Sequence, residues 1–243
     1  MIKNIYCMIP AREGSVRLKY KNLALINNKA LIEYSILNAK KTNIFKTIHI
    51  NSDSKIYEYF SQKHQIDFYK RKKKFATSSA RSDDVIYDFI NGNQLENGLL
   101  VWLNPIAPLL TPILIKEVLK EFAYKKLSST ITANERKVHT IYNLKNLNFN
   151  NHEKFAKTQD LEPVYTFNYA MMIWDIHKFK KQYNEKGHCI FIDKFYPITI
   201  PEHNSYIVKT AYDLKIVENF LNYEKKLKKI TRYHYQIKKI HEN

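Results

Sequence analysis

Apolar positions along this chain form short continuous runs that alternate with helical faces. Ile5-Tyr6-Cys7-Met8-Ile9, within residues 4–9, is an unbroken apolar run, the pattern of a strand buried on both faces. Residues 29–41 instead carry Leu31, Ile32, Tyr34, Ser35 and Leu37 at helical spacing. A strand is expected at 46–50, then a helix at 54–63 for which Asn51, Ser52 and Asp53 offer capping oxygens. Residues 66–69 read as a strand. Residues 82–91 read as a helix opened by Ser82-Asp83-Asp84, acceptors suited to the orphan N–H groups of a first turn. Residues 99–103 are a fully apolar strand; Pro105 and Pro108 interrupt the chain before a helix at 112–122, and strands follow at 129–133 and 140–142.

Strands alternating with helices of this length predict crossover connections and the α/β class: a Rossmann-like, three-layer α/β/α fold with a mainly parallel sheet. Ligands of such sheets bind beyond the carboxyl ends of the strands, where the strand order reverses. The turn after the first strand, Asn51-Ser52-Asp53 and Leu103-Asn104-Pro105 are therefore expected on one rim. Between about 144 and 186 the rhythm is lost. Residues 146–151 are rich in Asn, and 164–174 form a long strand pattern with little room for a crossover. This segment is read as an insertion that packs against a second subunit. Sheet patterning resumes at 195–200, and a helix from about 212 closes a single domain spanning 1–243, with 224–243 as a basic tail.

Composition sharpens this outline. The chain has 243 residues with 44% hydrophobic content, enough to fill a core. No apolar run reaches membrane-spanning length, and Arg12 comes too early for a secretory leader, so a cytoplasmic location is expected. Cys7 and Cys189 make no disulfide framework, and Cys7 within a strand packs as a small hydrophobe. The net charge of +17 suits an anionic partner. Six Lys and one Arg against two Glu lie in the last twenty residues, and Lys70-Arg71-Lys72-Lys73-Lys74 forms a second knot. The nine histidines show no metal-ligand spacing, and His177, His188 and His203 read as surface residues.

The chemistry concentrates in Ile9-Pro10-Ala11-Arg12-Glu13-Gly14-Ser15-Val16-Arg17-Leu18-Lys19-Tyr20-Lys21-Asn22-Leu23. A turn after a strand exposes backbone N–H groups, and Arg12 and Lys21 add a planar fork and a compact charge, a combination suited to phosphate. Gly14 allows close approach of backbone to ligand, and Ser15 can donate to a phosphate oxygen. The spacing fits neither a P-loop nor a G-x-G-x-x-G turn.

This stretch resembles the first motif of the cytidylyltransferases that activate acidic sugars: the CMP-N-acetylneuraminate (acylneuraminate) cytidylyltransferase family and its relatives for other nonulosonic acids and Kdo. Further segments follow in the family's order: "YKRKKKFATSSARSDDVI", "LVWLNPIAPLLT", "TQDLEPVYTFNYAMMIW" and "SYIVKTAYDLKIVENFL". The resemblance implies a nucleotide-diphospho-sugar transferase-like fold, an inserted dimerisation segment and a homodimer. It implies transfer of CMP from CTP to an acidic sugar or related acceptor for a surface glycan (capsule or lipopolysaccharide), with release of pyrophosphate. Carried over by position, Ala11, Arg12, Gly14, Ser15, Lys21, Asn22, Arg71, Ser78 and Ser82 hold the nucleotide, and Asn104, Gln159, Tyr165 and Asn168 face the acceptor. The family also uses Mg²⁺, but its two metal-binding aspartates fall at Ile207 and Lys209. An aliphatic side chain cannot ligate magnesium and an ammonium repels it. Lys209 is therefore a candidate catalytic cation beside Arg12 and Lys21, placing fixed charge where the metal sits; a metal carried by the triphosphate is the alternative. Asp213, the remaining acid there, reads as a helix cap before a metal ligand. Ile106, Ala107, Leu110, Thr158 and Tyr169 replace small or polar family residues near the acceptor, which implies an altered acceptor or lost turnover.

Two further readings keep the same residues. The chain could be a CTP- or CMP-binding regulatory or assembly protein. It could also bind nucleic acid through its basic tail, where Tyr233 and Tyr235 between cations can stack bases. The strand–helix alternation and the anion-suited turn do not require nucleic acid.

Overall fold

The computed structural model describes residues 4–14 and 18–224; Ser15 and residues 225–243 of the basic tail lie outside the described residues. The chain opens with strand β1 (Ile5–Pro10), a small hairpin of β2 (Leu25–Ile26) and β3 (Lys29–Ala30), and helix α1 (Leu31–Thr42). Next come β4 (Thr47–Ser52), α2 (Lys55–His64), β5 (Asp67–Lys70), α3 (Ser82–Gly92), β6 (Leu99–Leu103) and α4 (Pro112–Tyr124). The second half holds β7 (Ser129–Arg136), β8 (Ile141–Tyr142), β9 (Lys145–Asn146), β10 (Val164–Asp175), α5 (Ile176–Lys186), β11 (Ile198–Thr199) and α6 (Ala211–Glu224).

Among the described residues, seven strands form one sheet in the order β11-β7-β10-β6-β1-β4-β5. Neighbours β1, β4, β5 and β6 pair in parallel, as do β7 and β11, and β10 runs antiparallel to both its neighbours. The apolar runs divide their residues between two cores with period two. Cys7, Ile9, Val101 and Leu103 face a core completed by Ile32 and Ile36 of α1, Tyr57 of α2 and Val118 of α4. Tyr6, Met8 and Leu100 face the other, with Phe89 of α3 and Phe179 of α5. Both faces are thus covered by helices, which is why these strands read as continuous apolar runs and not as alternating ones. Each fully buried large side chain among them contributes on the order of 1.5–3 kcal/mol of transfer free energy. The helix α6 is added outside this sandwich, packing Val217 against Ile26, Leu31 and Val208.

At α1 the N-cap is Ala30, whose methyl cannot accept a bond, so the cap is one-sided and comes from Glu33. Glu33 reaches back to the Ala30 N–H at 2.9 Å and also accepts from Lys63 Nζ and His64 Nε2, each at 2.8 Å. Burial pushes the Glu33 carboxyl upward, but the bonds from Lys63, Ala30 and His64 outweigh it and hold the group below its ordinary value.

Two sequence expectations are corrected. First, 144–186 is not an insertion throughout. β10 enters the central sheet between β6 and β7, and Ala170 to Trp174 are buried there. An antiparallel strand needs no crossover helix, so loss of the strand–helix rhythm does not mean departure from the sheet. What leaves the sheet is the shorter span 137–163 with its β8–β9 hairpin, where Ile141, Tyr142 and Leu144 are exposed, Leu144 at 97%. Second, Asn51 and Asp53 do not cap α2. Its N-cap, Ser54, makes no side-chain bond to the helix, and Ser52 Oγ accepts only from the Ser54 N–H, at 3.2 Å. Asn51 is buried beneath the rim, and Asp53 Oδ1 accepts from the Glu13 N–H at 3.2 Å, anchoring the turn after β1.

Candidate active site

The chain builds outward from β1 through β4 to β5, then returns to place β6 on the other side of β1. The order reverses between β1 and β6, and a cleft of about 390 Å³ opens at their carboxyl ends. Pro10 and Arg12 leave β1 into it, Lys21 and Asn22 arrive from the short helical turn Lys21–Leu23, Trp102 lies near the end of β6 and Asn104 follows that strand. Arg71 follows β5, and Thr77, Ser78 and Ser82 come from the loop into α3.

Arg71 forms the floor and is only 6% exposed. Its Nε donates to Asn51 Oδ1 at 2.7 Å and its NH2 to the Asn51 carbonyl at 2.9 Å, while Asn51 Nδ2 is held by Met8 Sδ at 3.1 Å. Among the described residues no carboxylate lies within ion-pair distance of this guanidinium. Burial lowers Arg71 to about 10, with the charge of Arg12 acting in the same direction and Asp53 and Asp88 opposing it. Arg71 stays protonated at neutral pH, but as a desolvated cation facing a second cation. Such a charge is costly to bury alone, so its setting suits an electron-rich ligand oxygen, charged or neutral.

Two residues that line the cleft each carry a buried polar atom without a partner. Asn22 is 5% exposed, and its Oδ1 is buried without a hydrogen bond. Trp102 Nε1 is buried in the same condition. Beneath Asn22 sits Tyr57, whose phenol is pushed by burial up to about 12 despite its bond with Asn22.

The cleft thus unites seven of the sequence-predicted residues: Arg12, Lys21, Asn22, Arg71, Ser78, Ser82 and Asn104. Ala11 is wholly buried behind it, and its N–H donates to the Asn51 carbonyl at 2.9 Å. Gly14 is exposed on the turn. The acceptor-side expectations fare differently. Asn168 is a core residue: its Oδ1 accepts from Thr132 Oγ1 at 2.6 Å and from the Ala170 N–H at 3.1 Å, stitching a bulge where the β10 register shifts between Phe167 and Met172. Tyr165 lies on the protruding end of β10 opposite Glu135, and Gln159 sits exposed in the turn Thr158–Asp160 with its carbonyl accepting from Lys137. Neither lines the cleft. The same bulge holds Tyr169 at φ 58° and turns its carbonyl to Asn104 Nδ2 at 3.2 Å.

Lys209 is not brought into the cleft lining. Its side chain is exposed and outside the cleft lining; only its neighbour Val208 reaches the rim, donating its N–H to the Ile106 carbonyl at 2.9 Å. The Lys209 and Thr210 N–H groups instead donate to Asp213 Oδ2 at 2.8 and 2.7 Å. Thr210 Oγ1 and the Tyr206 hydroxyl complete the shell of Asp213. Burial would raise this carboxyl, but these bonds hold it below its ordinary value, so Asp213 is a cap. Magnesium, which the resemblance implies, finds no carboxylate in the cleft lining, and no three His, Cys, Asp or Glu converge among the described residues. The donor set does not fit a protein-held magnesium ion. Sequence reasoning missed Trp102, Phe75 and Val85, which line the cleft; apolar residues in strands and helices read as core.

Comparison with known proteins shows the family. A family model described as cytidylyltransferase matches residues 6–240. The N-acylneuraminate cytidylyltransferase of Streptococcus agalactiae serotype V is 27% identical over 69% of this chain, which spans 42% of that protein's length. The post-translational flagellin modification protein B of Campylobacter coli is 28% identical over 93% of this chain and 98% of its own. A solved CMP:2-keto-3-deoxy-manno-octonic acid synthetase, complexed with CTP, superposes with a TM-score of 0.65 at 14% identity, covering 91% of this chain and 99% of that one. That likeness supports the nucleotidyltransferase fold. By the extent of the family match, the chain belongs to the cytidylyltransferase family.

Proposed function

We propose that the chain transfers CMP from CTP to an acidic sugar or a closely related acceptor, releasing pyrophosphate in the building of a surface glycan. The observation that carries this reading is the cleft at the sheet's switch point, whose charged lining residues, Arg12, Lys21 and Arg71, are all cationic. In the reaction an acceptor oxygen forms a bond to the α-phosphorus as the bond to pyrophosphate breaks. The acceptor proton passes to solvent, and the departing oxygens carry the developing charge. Such a step needs positioning and charge neutralisation more than a covalent catalyst. Arg12 and Lys21 are assigned to the phosphates, Arg71 and Asn22 to the nucleoside end, and Asn104 to the acceptor side. Ile106 at the rim and buried Leu110 offer no charge to an acceptor carboxylate, so these positions leave its recognition to other residues of the site. The use of CTP fits work in the cytoplasm.

The purified chain, mixed with CTP and each of N-acetylneuraminic, pseudaminic, N,N'-diacetyllegionaminic and 2-keto-3-deoxy-manno-octonic acids, is expected to release pyrophosphate with at least one. Release with CTP is expected to exceed that with UTP or ATP at least tenfold. CTP binding without release from any acceptor would favour a regulatory or assembly role, and no CTP binding would sink both readings.

The span 137–163 supports self-association into a homodimer. A two-stranded hairpin is marginally stable alone, and Ile141, Tyr142, Leu144 and Leu147 leave it exposed and apolar. Sedimentation velocity is expected to give a dimer for the parent chain and a monomer for Leu144→Glu with Tyr142→Glu; a monomeric parent contradicts this.

A further inference from the structure

The chain has two tryptophans, and their indole N–H groups are treated differently. Trp174, wholly buried on β10, donates its N–H to the Ile190 carbonyl at 2.9 Å. Trp102, one strand away on β6, meets Trp174 edge-on at 6.5 Å between ring centroids, lines the cleft, and leaves its buried N–H without a partner. Native proteins rarely strand a buried donor, and one that does so in a cleft calls for an explanation. Packing does not supply it, because a phenylalanine would present a comparable apolar face without the polar atom.

We propose that Trp102 is a specificity-determining residue for the nucleotide, its indole N–H donating to a carbonyl oxygen of a pyrimidine base. This rests on the reading of the cleft as a CTP site. Trp102 packs on the α3 side of the sheet, and Val85 of α3, Phe75 and the hydroxyls of Thr77, Ser78 and Ser82 line the same cleft, whereas Arg12 and Lys21 stand on the chain segment that follows β1. A wall of apolar side chains interspersed with neutral donors suits a base, and a cationic segment suits phosphates. Neighbouring atoms cover the N–H, so its engagement takes a rotation of the ring as the base enters, and that rotation alters the indole emission.

The test is calorimetric titration of the full chain and of Trp102→Phe with CTP, CMP and inorganic tripolyphosphate, with tryptophan fluorescence followed in parallel. Trp102→Phe is expected to bind CTP and CMP about tenfold more weakly and tripolyphosphate within twofold of the parent. Its melting temperature should not fall, since the substitution removes an unsatisfied donor. CMP, but not tripolyphosphate, should change the parent's emission. Unchanged CTP and CMP affinity in Trp102→Phe overturns the proposal while leaving the CTP site in place. Equal weakening for tripolyphosphate also overturns it, because the residue then supports the cleft as a whole. A parent chain that binds neither CTP nor CMP overturns the proposal together with the reading beneath it.

Discussion

Replacing Arg71 by methionine is expected to weaken CTP binding about 100-fold while leaving the fold within about 1 kcal/mol of the parent. The two effects separate because the guanidinium is buried without an ion-pair partner among the described residues. Removing it relieves the desolvation cost that depresses its pKa, and methionine refills much of the volume. Against that gain, Asn51 Oδ1 and the Asn51 carbonyl lose donors at 2.7 and 2.9 Å, a loss of order 1–3 kcal/mol. These terms nearly cancel in the protein alone. In the complex they do not, because the nucleotide loses a charge-assisted partner. Urea unfolding measures the first quantity and titration calorimetry the second. Loss of several kcal/mol of stability with undiminished affinity would make Arg71 a structural residue only.

Lys21→Ala and Arg12→Ala are each expected to lower kcat by roughly 10²–10³, the range typical of removing one donor from a preorganised site for developing negative charge. Both residues line the cleft and both are partly exposed, so their loss should change stability by less than about 1 kcal/mol. Arg12→Lys should recover only part of the rate, since an ammonium cannot reproduce a planar fork. Steady-state pyrophosphate release under saturating CTP checks these values. Parent-like kcat in both alanine variants would remove the turn after β1 from the chemistry.

Much of this architecture was legible because a doubly covered parallel sheet leaves an unmistakable pattern. Ile5-Tyr6-Cys7-Met8-Ile9 and Leu99-Leu100-Val101-Trp102-Leu103 are apolar on both faces, and helical periods fall between them. β10 was misread because the signal of a strand–helix–strand unit is the crossover, and an antiparallel strand has none. Within the cationic knot at 70–74 nothing local distinguishes Arg71 from its neighbours. It turns inward because its N–H is held by the Ser52 carbonyl at 2.8 Å as β5 ends, while Lys72, Lys73 and Lys74 stay exposed. Asn168 could not be recognised as a bulge residue from its type, since a register shift is a property of the partner strand as much as of the chain carrying it. Asp213 was better marked: Thr210, three residues before it, sets the spacing of a reciprocal helix cap, and three of the four groups that donate to its carboxylate converge on Oδ2. Trp102 carried no signal at all, because a tryptophan within an apolar strand differs from core only through what its N–H meets.

The central claim is that the cations at the carboxyl ends of β1 and β5 hold a nucleoside triphosphate. A crystal structure of the full chain with CTP tests it most directly. The account predicts triphosphate oxygens within hydrogen-bond distance of Arg12 and Lys21, with the cytosine ring lodged between Arg71 and Trp102. CTP bound elsewhere, or a cleft whose Arg12 and Lys21 side chains turn away to solvent in the presence of saturating nucleotide, would contradict it.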